Sequence, residues 1–290
     1  MCRFRTGLVY AGMLLLSFSS LSAFSESEEE FYLRRSEARA DLHTGGRVVY
    51  DGETDRLDFR LTDLQVASLN GHELMLLRNS IFARHGYMFR NGTIGEHFMA
   101  FDWYRPVNED VDSLLNATDL WNIRLIRHYE DHLTDDGSAP PEEADLTGFW
   151  HGSASVGSGY SERYLLFDDG SFIYRTSSMD GSARLDELSG EWSIDGCHLV
   201  LLADTMTFLR GGRIEEPYAS WGSEYVIDGA TSVCLELPPG EVFRLPLEAY
   251  TPNYAESSGD EEFEHLTVPY MWIGYGEFWR MHSDPEIDVY

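Results

Sequence analysis

Lysine is absent from this chain: all 21 basic residues are arginines, set against 50 aspartates and glutamates. Schiff-base chemistry and the phosphate-loop lysine are therefore excluded. Cysteine is almost as scarce, limited to Cys2, Cys197 and Cys234, too few for a disulfide framework or a paired-cysteine metal knuckle. Positive charge is also in deficit. A formal net charge of -29 repels phosphates and anionic lipid headgroups, so nucleic acid is not an expected partner. No serine elbow, phosphate loop or dinucleotide glycine pattern occurs, and no cofactor is expected. Past the N-terminus, no apolar run approaches the length that crosses a bilayer as a helix.

What the N-terminus does have is Arg3 and Arg5, an apolar run from Gly7 to Phe18, and small residues leading to Ala23-Phe24-Ser25. A basic start, a short apolar core and small residues before the cut are the parts of a secretory signal peptide, here residues 1–25. The expected destination is outside the cytoplasm, periplasmic or secreted. Residues 26–46 mix Glu28-Glu29-Glu30 with Arg34, Arg35, Glu37 and Arg39 and read as a solvated acidic leader that holds at most a short helix and no core. Residues 134–145 hold Asp135-Asp136-Gly137-Ser138 and Pro140-Pro141-Glu142-Glu143, turn formers and charges that mark a linker between residues 47–133 and residues 146–290.

The most informative stretch runs from Asn70 to Phe89. Asn70 and Glu73 form a capping box, Leu74, Leu77 and Ile81 recur on one face, and Gly86 suits a left-handed C-terminal cap, which predicts a helix from about Gly71 to His85. Arg78, Phe82 and His85 border that apolar face. Glu73-Leu74, Leu77-Arg78-Asn79 and Phe82-Ala83-Arg84-His85-Gly86-Tyr87 with Phe89 resemble the YARHG domain, a small bacterial extracytoplasmic module. Phe98, Trp103-Tyr104, Pro106 and Asn122-Ile123 extend the resemblance over roughly Asp58 to His132. Phe82 stands where the family name has tyrosine. The resemblance implies a location and a fold unit, with no settled reaction attached.

Around this helix, Val48-Val49-Tyr50 and the alternating Leu57-Asp58-Phe59-Arg60-Leu61 predict a short strand or strand pair. Thr93 with Glu96 predicts a second capped helix to about Phe101, and a third helix is expected from about Thr118 to Leu133. Beyond the linker, hairpins are expected at Leu165–Tyr174 and Glu191–Leu202, with further strands at 224–227, 232–237, 242–245 and 270–279. The fold class is α+β, a small α-rich N-terminal module followed by an antiparallel β-barrel or sandwich. Gly148-Phe149-Trp150 and Gly190-Glu191-Trp192 resemble the openings of lipocalin-like small barrels.

The candidate site residues gather at the motif. Arg78, Arg84 and His85, with Trp103 and Tyr104 nearby in sequence, form a candidate binding set. Were the protein an enzyme, His85 would serve as general base with Glu73 or Arg84 in support. The alternative is architectural: Arg78 and Asn79 tie the helix to its neighbours while His85 sits at the helix C-terminus, where positive charge is favoured. His128 and His132 share one helix face but supply only two ligands, so no metal is expected. Cys197 and Cys234 either pair in an oxidising compartment or stay as free thiols. Tyr270, Trp272, Tyr275, Phe278 and Trp279 read as a core strand before a ligand platform. The expected function is a non-catalytic cell-envelope binding or scaffolding protein whose partner is an envelope component or small ligand. The alternatives are an envelope hydrolase using His85 and a lipocalin-like carrier of an apolar ligand.

Overall fold

A computed structural model describes residues 27–133, 141–154, 161–177, 180–215, 225–258 and 265–287. The expected signal peptide and most of the linker lie outside the described residues.

Helix α1 (Glu28–Ala40) opens on a capping box, Ser27 Oγ accepting from the Glu30 amide while Glu30 accepts from the Ser27 amide. The acidic leader is thus a packed helix. Its Ser36, Ala38 and Ala40 are buried, Arg184 Nε donates to Ser36 Oγ at 3.1 Å, and Gln65 Nε2 donates to the carbonyls of Ala38 and Asp41. Charge composition alone suggested solvation because small residues carry the buried face, and their burial leaves little hydropathy signal.

Residues 47–61 contain no strand. Helical turns at Arg47–Asp51 and Thr54–Asp58 replace it. The alternation was real: Leu57, Phe59 and Leu61 are buried, while Asp58 and Arg60 are exposed. What is missing is a neighbouring strand. The side chain of Asn122 takes its place, donating to the Phe59 carbonyl at 3.0 Å and accepting from the Leu61 amide at 2.8 Å. One amide group thereby satisfies two backbone positions that a ladder would otherwise serve.

Helix α2 (Gly71–Arg84) is capped by Asn70 and Glu73 as the spacing predicts. Helix α3 (Gly92–Met99) begins at Asn91, which accepts from the Thr93 amide, so Asn91 and not Thr93 is the cap. Helix α4 (Ala117–Asp131) is capped by Asn116 and Asp119.

The C-terminal part is a closed antiparallel barrel of strands β1 (Gly148–His151), β2 (Arg163–Leu166), β3 (Ser171–Arg175), β4 (Leu185–Asp195), β5 (His198–Glu215), β6 (Val226–Thr251), β7 (Tyr270–Ile273) and β8 (Gly276–His282). Each strand pairs with the next, and β1 pairs with β8 to close the ring. The stretches expected as separate strands between 224 and 245 are one long strand. Ala203 of β5 faces Glu241 while Thr205 faces Glu236, so Leu237–Gly240 form a bulge in β6. Pro238 and Pro239 have no amide to give to a ladder, which accounts for the bulge lying there. The stretch 270–279 is a hairpin turning at Gly274, whose φ is 63°.

The barrel and the helices share one packed core. Trp150, Tyr164, Phe172 and Phe243 are fully buried, and one apolar cluster runs from Leu74, Leu77, Ile81 and Ile126 of the helices into Leu166, Leu188, Leu199 and Phe278 of the strands. Backbone bonds stitch the same junction, with the Arg244 amide donating to the Ala67 carbonyl at 2.9 Å.

Both described cysteines are free, Cys197 buried and Cys234 exposed. Cys197 precedes His198 at the start of β5, whereas Cys234 pairs with Thr207, nine positions along that strand. At the strand rise that is about 30 Å, far beyond disulfide reach. No helix among the described residues is long and apolar enough to cross a membrane.

Candidate functional site

Polar chemistry gathers first at the motif itself. Asp119 of α4, with no exposed side-chain surface, accepts from Arg84 Nη2 on Oδ1 at 2.8 Å and lies 3.0 Å from His85 Nε2 through Oδ2. Oδ2 also accepts from the Asn116 amide as part of the helix cap. Arg84 reaches Asp58 and the Thr54 carbonyl with its other nitrogen. One helix of the module is thereby clamped to the start of another and to the turns before it. Arg78 Nε donates to Glu130 at 2.7 Å, a second tie between α2 and α4.

The turn after the helix completes the clamp. Gly86 adopts φ 78°, and a Cβ there would stand 2.8 Å from the Arg105 carbonyl oxygen. Its own carbonyl accepts from the amides of Val107 and Asn108, and Asn108 Nδ2 donates to the His85 carbonyl at 2.8 Å. Tyr104 is buried and donates its hydroxyl to the Tyr87 carbonyl at 2.7 Å, while Trp103 stacks on Phe101 with ring centroids 5.6 Å apart. Asn79 donates to the Met75 carbonyl one turn back.

The catalytic grouping of His85 with Glu73 is not assembled. Glu73 accepts from the Asn70 amide and from the Tyr50 hydroxyl at the other end of α2. His85 is twelve positions further along, about 18 Å at the helical rise. Of that set only Arg84 stands with His85, and both are committed to Asp119.

A second gathering is a cleft of about 990 Å³ between α1, residues 58–63, α4 and the barrel rim. Its polar wall holds Arg35, Arg39, Asp63, Glu162 and Asp180, and its rings include Phe31, Phe59, Trp121 and Tyr275. None of Arg78, Arg84, His85, Trp103 and Tyr104 lines it. Arg35 and Arg39 both donate to Asp180 Oδ2, and Arg35 also reaches Ser182. Asp63 Oδ1 accepts from the Tyr129 hydroxyl at 2.7 Å and the Tyr275 amide at 2.8 Å, joining α4 and the β7–β8 turn.

The electrostatics of this wall are unusual. Burial pushes the Asp63 carboxyl up to about 7, with the charge of Glu162 adding to the rise and the Tyr129 hydrogen bond opposing it. Burial also raises Glu162, against the pull of Arg39 and a hydrogen bond from Tyr174. The Asp63 carboxyl can therefore hold and hand over a proton near neutral pH, beside a Glu162 carboxyl shifted in the same direction. Burial holds the hydroxyls of Tyr129, Tyr164 and Tyr174 well above the ordinary tyrosine value, so they stay donors.

These cleft residues come from α1, the turn before α2, the β1–β2 and β3–β4 connections and α4, and no spacing in the sequence links them. The one signal that marks part of the wall is Ser27-x-x-Glu30, the capping box that starts α1. His128 and His132 meet Glu248 of β6, a third donor that helical spacing does not announce.

Residues 54–131 match the YARHG domain family. The matched segment covers the Arg84–His85–Asp119 clamp, both partners of the Arg78–Glu130 tie and one wall of the cleft. Comparison with curated proteins and with solved structures gives no match.

Proposed function

We propose that this chain is an extracytoplasmic, non-catalytic binding protein that takes a polar ligand with flat apolar faces, such as a saccharide fragment of the cell envelope, in the cleft between helices and barrel. The basic start and short apolar run at residues 1–25 support export. The observation that carries the binding reading is the cleft itself: aromatic rings beside a wall of arginines and carboxyl groups, set apart from the motif residues. Rings offer stacking area while the polar wall fixes orientation, the usual division of labour in a ligand site. The motif supports an architectural role, since Arg78, Arg84 and His85 are each spent on a carboxylate within the module.

Calorimetric titration with envelope oligosaccharides and muropeptides tests this reading. Binding to the wild type that weakens at least tenfold in Trp121→Ala is expected. If no such fragment binds the wild type, the reading fails.

A second reading, hydrolysis of an envelope polymer, is favoured by one observation, the upward-shifted pair Asp63 and Glu162. It takes the place of the first if the purified protein cleaves peptidoglycan and Glu162→Gln abolishes the cleavage while leaving the fold intact.

A further inference from the structure

The sequence places His128 and His132 one turn apart near the end of α4, and folding brings Glu248 of β6 against both. Glu248 Oε1 lies 3.3 Å from His128 Nε2 and 3.3 Å from His132 Nε2. Three ligand atoms of the kinds that hold zinc thus converge from two elements.

Three features of the contact suggest more than an ion pair. First, His132 Nδ1 is 2.7 Å from the His128 carbonyl oxygen, four residues back, so Nδ1 carries the proton and donates. A neutral His132 ring then presents the lone pair of Nε2 to the carboxylate, and two electron-rich atoms face each other until a cation comes between them. A backbone carbonyl holding the far nitrogen is also the usual support of a metal-bound imidazole. Second, Glu248 Oε1 is inaccessible to solvent and has no hydrogen-bond partner among the described residues. A buried carboxylate oxygen left so is costly unless something positive occupies the gap. Third, the spacing suits an ion. Bonds of 2.0–2.1 Å in a tetrahedron set neighbouring ligand atoms about 3.3 Å apart, a length at which a hydrogen bond is already weak.

A proton on each ring would satisfy the carboxylate less well. The two imidazoles lie tilted at 44° with centroids 4.5 Å apart, so two imidazolium charges would repel each other, whereas one divalent ion serves both rings.

We propose that His128, His132 and Glu248 bind a divalent transition-metal ion of the zinc class, which pins the end of α4 to strand β6. Two imidazoles and one carboxylate suit zinc, cobalt or nickel, whereas magnesium and calcium prefer oxygen ligands throughout. In the metal-free arrangement His128 Nε2 donates its proton to the Gly274 carbonyl at 2.8 Å. On loading, that proton moves to Nδ1 of the same ring, Nε2 turns its lone pair to the metal, and the ring is released from the carbonyl. The fourth position is left for water.

The test is equilibrium dialysis of EDTA-stripped protein against Zn²⁺, with Co²⁺ absorption as the report on geometry. One ion per chain, a tetrahedral cobalt spectrum and a rise in Tm on loading are expected. Glu248→Gln, which keeps size and removes charge, should weaken uptake at least tenfold with the metal-free Tm nearly unchanged, and His132→Ala should abolish the cobalt spectrum. Absence of stoichiometric uptake by the wild type, or equal uptake by Glu248→Gln and His132→Ala, overturns the proposal.

Discussion

His85 Nε2 lies 3.0 Å from Oδ2 of Asp119, a carboxylate with no exposed side-chain surface whose other oxygen holds Arg84. Consecutive residues of the motif therefore converge on one acceptor that also helps to cap the helix it belongs to. Asp119→Ala leaves Arg84 and His85 without that acceptor and removes half of the capping box of α4. A loss of about 3 kcal/mol is expected, at the low end for breaking a buried pair because Arg84 keeps Asp58. Urea unfolding followed by tryptophan fluorescence measures it.

Gly274 carries the junction between the helical module and the β7–β8 hairpin. A Cβ there would stand 2.5 Å from Asp63 Oδ1 and 2.9 Å from the Tyr129 hydroxyl, in a backbone of φ 63° that side chains disfavour. Gly274→Ala should destabilise by about 2 kcal/mol or more, the left-handed strain and the clash acting together. Gly229, also at positive φ but with open space around it, is the control: Gly229→Ala should lose only the backbone part.

The raised carboxyl of Asp63 gives a stability that depends on pH in a defined direction. The folded state binds the proton more tightly than the unfolded one, so the contribution is complete below about pH 4 and is lost as pH climbs to about 7. The carboxamide introduced by Asp63→Asn keeps an acceptor for Tyr129 and Tyr275 but cannot ionise. Denaturation between pH 4 and pH 8 should show the variant gaining on the wild type as pH rises, then running parallel above about 7. A constant difference across that range would contradict the assignment.

Free thiols at Cys197 and Cys234 predict that reductant leaves Tm unchanged. Under native conditions a thiol reagent should modify exposed Cys234 promptly and buried Cys197 only on unfolding. Mass spectrometry of the labelled peptides distinguishes the two.

Local chemistry explains which parts of this architecture could be read without coordinates. Asn70 and Glu73 announced α2 because a capping box is written within four residues, and the hairpins at Asp168-Asp169-Gly170 and Asp195-Gly196 were legible for the same reason. Leu57, Phe59 and Leu61 showed the correct alternation of burial but not the backbone, because Asn122, 61 residues from Leu61, supplies the pairing that a strand would. Glu248 and Glu162 were illegible as site residues. Each acquires its chemistry from neighbours on other elements, and nothing in their own surroundings in the sequence differs from a solvated acid.

The closure of β1 onto β8 bears on how this chain behaves at high concentration. A ring exposes no row of unsatisfied amides along its flanks, and so offers no template for another copy to extend. The β5–β6 ribbon past Phe208, where pairing with β4 ends, is the place where such growth could begin, and its edge is partly taken, Arg184 donating to the Leu209 and Gly211 carbonyls and the Ile227 amide to the Gly181 carbonyl. Arg210, Arg213 and Asp228 stand on it as charged guards, and the successive left-handed glycines Gly211 and Gly212 bend it away from flatness. Fibril seeding is thereby discouraged at the long ribbon that runs out past the ring.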